Sequence, residues 1–190
     1  MLSKFHDSSY RYSRLLLLRV TSVAVLMLVL SCSEPPSPKI PGNLVSYAAT
    51  YMQGIYKSEN GGESWYPLHA DQKQLNTYFK NLYQSPSDRN KIYITTSGAG
   101  LFTLDPRTKS LQPIEEFRDR IITSLTFLSS EPNPKSAGVL VATADSGVFK
   151  DDNEGGGFQQ FNNGMIYREV NVLHSYSDKV YAGTVKGLFQ

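Results

Sequence analysis

Most of what would make this chain's chemistry easy to read is missing from its sequence. One cysteine in 190 residues rules out a disulfide framework and any cysteine-cluster zinc or iron–sulfur site. Of three histidines, His69 and His174 stand without a second ligand at a metal-binding spacing, so each reads as an ordinary structural or surface residue. The phosphate-cradling patterns G-x-x-x-x-G-K-[ST] and G-x-G-x-x-G do not occur, and no nucleotide, other cofactor or metal is expected. Charge of one sign is scarce too, with Lys+Arg 19 against Asp+Glu 17. Residues 1–31 hold Lys4, Arg11, Arg14 and Arg19 against Asp7 alone. Removing those four of 19 and one of 17 leaves a body with 15 basic and 16 acidic groups. Such a body offers nucleic acid no electrostatic foothold. Helical periodicity is sparse as well. Its best stretch is Asp71–Tyr83, with Leu75, Tyr78, Phe79 and Leu82 at helical spacing, and its second half reads equally as a strand.

What is present begins with an address. A polar, basic segment ending at Arg14 leads into Leu15–Leu18, Arg19 and an apolar run from Val20 to Leu30. A basic start, a short apolar stretch and a small residue at the end form the pattern of a secretory signal over residues 1–31. A spanning helix needs about 20 apolar residues, whereas the uncharged stretch Val20–Ser33 has 14. Val29-Leu30-Ser31-Cys32 resembles the bacterial lipobox, which implies that Cys32 is lipidated and becomes the mature N-terminus. Ser33 after it carries no aspartate retention signal, which points to an outer-membrane or periplasm-facing location. Four prolines between Ser33 and Gly42 make residues 32–43 an extended tether.

From Leu44 onward the chain repeats itself. Leu44–Ser58, Ile92–Leu104, Val139–Asp151 and Val180–Gln190 each run through a β-rich stretch, a small-residue turn and a Gly-apolar-aromatic step. The glycines are Gly54, Gly100, Gly147 and Gly187, separated by 46, 47 and 40 residues. A period of about 40–50 residues with four short strands per unit is the signature of propeller blades. The strands starting near 44, 92, 139 and 180 are second strands of their blades. First strands are expected in the second half of 71–83, at Ile121–Phe127 and at Val170–Leu173. The expected count is 3+4+4+3, an all-β partial propeller of about 3.5 four-stranded antiparallel blades behind a signal-peptide helix.

Between strands lies a more specific turn. Ser58-Glu59-Asn60-Gly61-Gly62-Glu63-Ser64-Trp65 matches S-x-[DN]-x-G-x-[ST]-W, and a worn copy follows at Asp151, Asn153, Gly155 and Phe158. The Asn60 amide can bond across the turn, glycine permits positive φ, and the Ser58 and Ser64 hydroxyls can satisfy further backbone groups. Trp65 is expected to pack between neighbouring elements. These residues carry a resemblance to the Asp-box propellers, the BNR, sialidase-like and photosystem-assembly-factor-like group, over Leu44 to Gln190.

The resemblance implies architecture more than chemistry. Sialidases of this fold clamp a carboxylate with three arginines. Here Arg118 and Arg120 are the nearest approach, without the family's following Ile-Pro, beside Arg89, Arg107 and Arg168. No catalytic residues are therefore assigned, and a calcium loop at Asp151–Gly155 fails on spacing. The expected role is a lipid-anchored, non-catalytic module that binds a protein or glycan partner or scaffolds an assembly. The alternative is a partial sialidase-like glycoside hydrolase. The incomplete blade count leaves three readings open: a fragment, two chains closing one ring as a homodimer, or a four-bladed ring with a defective last blade. Tyr56, Tyr93, Phe102, Phe149 and Tyr181 are expected in the core.

Overall fold

A computed structural model describes residues 44–68, 77–128, 138–153, 155–177 and 179–190. The export signal 1–31, Cys32, the tether to residue 43, His69 and residues 71–76 lie outside them.

The strands follow the residues that favour them. Ile92–Thr96 (β5) and Val139–Thr143 (β9), rich in β-branched side chains, are buried along their whole length. A strand covered on both faces reads as one continuous apolar run. Four antiparallel sheets result. The first joins β1 (Ser46–Thr50), β2 (Gly54–Ser58) and β3 (Tyr66–Pro67). The second runs β4 (Phe79–Gln84), β5, β6 (Leu101–Asp105) and β7 (Ser110–Ile114). The third runs β8 (Ile122–Phe127), β9, β10 (Val148–Asp151) and β11 (Gln159–Gln160). The fourth holds β12 (Val170–Tyr176), β13 (Lys179–Thr184) and β14 (Gly187–Phe189). The 3+4+4+3 layout is the one the repeat predicts, and β4 occupies the second half of the ambiguous 71–83 stretch.

Each sheet is an up-and-down meander whose two faces do different work. Ile55 of the first sheet packs with Ile92, Ile94, Phe102 and Leu104 of the second. Tyr93, Leu101 and Phe117 of the second meet Leu125, Val141 and Phe149 of the third. Leu140, Ala142 and Val148 of the third meet Val170, Leu173 and Ala182 of the fourth. Three hydrophobic layers therefore glue four sheets in chain order, the construction of a β-propeller arc. Tyr93, Phe102 and Phe149 are buried in these layers, whereas Tyr56 and Tyr181 are half-buried.

Candidate functional site

A four-stranded meander sends its turns to two ends. The first-to-second and third-to-fourth turns lie at one end; the second-to-third turns and the linkers between sheets lie at the other. The two ends are built differently.

At the first end sits the Ser58–Trp65 turn. The buried Ser58 hydroxyl donates to Asn60 Oδ1 (2.9 Å) and accepts the Gly62 N–H (2.8 Å) and Asn60 N–H (3.4 Å). Asn60 in turn accepts the Ser64 N–H at 3.0 Å, and its amide donates to the Ser64 hydroxyl at 2.9 Å. Every named polar residue of the turn thus satisfies a backbone group that would otherwise lack a partner. At the second copy Asp151, also buried, stands in for Ser58. Its Oδ1 accepts the Asn153 N–H at 3.0 Å and the Gly156 N–H at 3.3 Å. The glycine whose N–H is caught is Gly156, one residue beyond the Gly155 expected from the alignment. Flanking ion pairs match too: Lys57–Glu59 and Lys150–Asp152, both at 2.6 Å.

Trp65 departs from expectation. Phe158, its counterpart, stacks on Phe117 with ring centroids 4.8 Å apart. Trp65 is 44% exposed and lies over Gly62, because among the described residues no sheet precedes the first to receive it. In the second sheet the turn is shorter. Arg107 Nη2 reaches Asp105 Oδ2 at 2.9 Å and holds that carboxyl down at about 2.

At the opposite end a feature that the repeat search overlooked recurs in every sheet. Thr50, Thr96, Thr143 and Thr184 donate their hydroxyls to the carbonyls of Gly54, Gly100, Gly147 and Gly187, at 2.7 to 3.1 Å. The signal was available as a threonine three or four residues before each repeat glycine. All four glycines have positive φ, as a tight turn of this kind requires.

This clamped end presents aromatic side chains to solvent. Tyr51 and Tyr78 face each other across an isolated bridge, ring centroids 4.6 Å apart, 72% and 38% exposed. The Tyr78 contact raises the Tyr51 phenol above its ordinary value. Beside them Met52 adopts φ 60°, a left-handed conformation rare outside glycine and concentrated at functional loops. Ile121, Ile166 and Tyr167, in the linkers between later sheets, are exposed as well. Arg120 braces the same end, donating to Ser146 Oγ at 2.6 Å beneath the Phe149 ring. Arg118 turns away to Glu115, 2.6 Å distant, so the two arginines do not converge on one ligand. Between the second and third sheets a cleft of about 240 Å³ is lined by Lys91, Tyr93, Glu116, Asp151 and Phe158. His174 is exposed on the fourth sheet, and among the described residues no three His, Cys, Asp or Glu side chains gather as a metal set.

Neither a protein-family profile nor a curated protein matches the sequence. Solved structures do. An ancestral GH74 enzyme is 25% identical with TM-score 0.57, covering 78% of this chain and 21% of its own. The extracellular domain of a putative one component system from B. thetaiotaomicron is 21% identical with TM-score 0.55, covering 75% and 19%. The computationally designed Ika4 protein is 17% identical with TM-score 0.51, covering 84% and 94%. The chain spans about a fifth of the length of the first two. With these neighbours the four glued sheets are those of a β-propeller.

Proposed function

We propose that the chain is a non-catalytic binding module of the bacterial cell envelope, an Asp-box propeller lipidated at Cys32. In this reading it holds a glycan against the Tyr51–Tyr78 platform. The observation that carries it is that pair of exposed, mutually stacked rings on a bridge fixed by threonine clamps. Aromatic faces on a rigid support bind with little ordering cost. The envelope setting draws support from the lipobox-like residues 29–32 and from two neighbours that are extracellular domains of B. thetaiotaomicron proteins. Arg118 and Arg120, held by separate partners, favour binding over the sialidase-like alternative.

Affinity electrophoresis through gels containing hydroxyethyl cellulose, xylan or mannan tests the reading. Retardation by one of these neutral polysaccharides is expected, weakened about tenfold when Tyr51→Ala and Tyr78→Ala are combined, as for loss of an aromatic anchor. Mobility unchanged in all three gels, or retardation indifferent to both substitutions, refutes the glycan platform. In the same preparation a palmitate label on Cys32, absent from Cys32→Ala, checks the anchor.

A further inference from the structure

The three interfaces between successive sheets repeat one another position by position. In each Gly-apolar-aromatic step the apolar residue faces the following sheet and the aromatic residue faces the preceding one. Ile55, Leu101 and Val148, the apolar members, are 1%, 0% and 3% exposed because a following sheet covers each. The fourth member, Leu188, is 71% exposed. Registered beside it on the same face are Val172 and Gly183, then His174 with Tyr181, then Tyr176 with Lys179. Val172 and Tyr176 are exposed too.

The first sheet shows the opposite half. Phe102, Phe149 and Phe189 pack on the sheets before them. Their counterpart Tyr56, paired with Pro67, is only half-buried, and Trp65, two residues before Pro67, continues that face into solvent. One end of the arc therefore offers aliphatic knobs that elsewhere sit under an aromatic row. The other end offers an aromatic row that elsewhere covers aliphatic knobs. Within one chain the two faces do not meet, since both are open.

We propose that they meet between two copies of this chain. The Leu188 face of one protomer stacks on the Tyr56–Trp65 face of its partner, and the reciprocal contact closes an eight-sheet ring. The occupant is a second copy because the needed surface is the one that the chain already applies three times internally. A head-to-tail contact whose rotation closes gives a ring, and eight sheets fall at the upper end of the roughly four-to-eight range for propellers. This inference is independent of what the turn end binds.

Sedimentation velocity on the full chain in mild detergent tests it. The expected species is a dimer of the 21.2 kDa chain. Leu188→Glu and Trp65→Glu should each raise the dissociation constant at least tenfold without changing the β-sheet circular dichroism. Should either variant lose that signal, Val172→Glu and Tyr56→Glu probe the same two faces. A monomer at every concentration overturns the proposal, as does an open-ended series of larger species. So does a dimer broken by Leu188→Glu but indifferent to Trp65→Glu, because that pattern means like faces meet.

Discussion

At the scale of single residues, the hydroxyl of Ser58 does more than its size suggests. It is buried, donates once and accepts two backbone N–H groups. Removing one partner from a buried hydrogen bond costs the desolvation of the group left behind, about 1–3 kcal/mol. Ser58→Ala should therefore lower the thermal midpoint by roughly 2–4 °C for each kcal/mol lost. Ser110→Ala, whose hydroxyl only accepts the exposed Gln112 amide, should leave it unchanged. Differential scanning calorimetry on the two variants decides it; equal midpoints would mean that the turn closes without its serine. A second consequence concerns pH. Arg107 holds the Asp105 carboxyl at about 2, below its ordinary 3.8, so the charged form is favoured in the folded chain. The stability this adds is present above pH 3.8 and disappears as pH falls towards 2. An NMR titration should find Asp105 back in the ordinary carboxylate range in Arg107→Ala.

At the scale of elements, the turn glycines separate backbone freedom from close approach. Gly98 and Gly100 both have positive φ, 117° and 93°. A Cβ on Gly98 meets nothing within 4 Å, whereas one on Gly100 runs into the backbone carbonyl of Phe117. Gly98→Ala should cost only the conformational strain, about 1–3 kcal/mol. Gly100→Ala must also displace the 3-10 turn Glu115–Phe117, whose Phe117 is the fully buried pivot between second and third sheets. Urea unfolding should show the second substitution to be clearly the worse; comparable midpoints would mean that this turn shifts freely. Much of this was legible beforehand, because glycine spacing and alternating strands are local and periodic signals. Gly54, Gly100 and Gly147 do fall at equivalent turns, each clamped by a threonine. The one-residue shift to Gly156 was not legible, since three consecutive glycines give an alignment nothing to hold. Trp65's exposure was hidden for another reason: its burial depends on a neighbouring sheet, which a local motif does not encode. The Tyr51–Tyr78 pair escaped because 27 residues and a whole linker separate rings that only the fold brings together.

At the scale of the whole molecule, each sheet touches only its neighbours in chain order, so stability is a sum of sheet and nearest-neighbour terms. The inner sheets have two glued faces and the outer ones a single glued face. Strands record the difference: β5 and β9 are buried at every position, while β1 is half-buried throughout and β14 largely exposed. Local opening should then be graded, since regions with few buried contacts open at lower free energy. Native-state hydrogen exchange at low protein concentration should find β5 and β9 slowest, with β1 and β14 exchanging well before them. Raising the concentration separates two accounts of the outer faces. If copies stack head-to-tail, β1 and β13 slow together while β5 and β9 hardly change, because the new contact glues only the outer sheets. Outer strands that exchange at one rate across a hundredfold range of concentration would leave the faces open in solution. Uniform exchange across all four sheets would instead show that the arc opens as a single unit, against the additive picture.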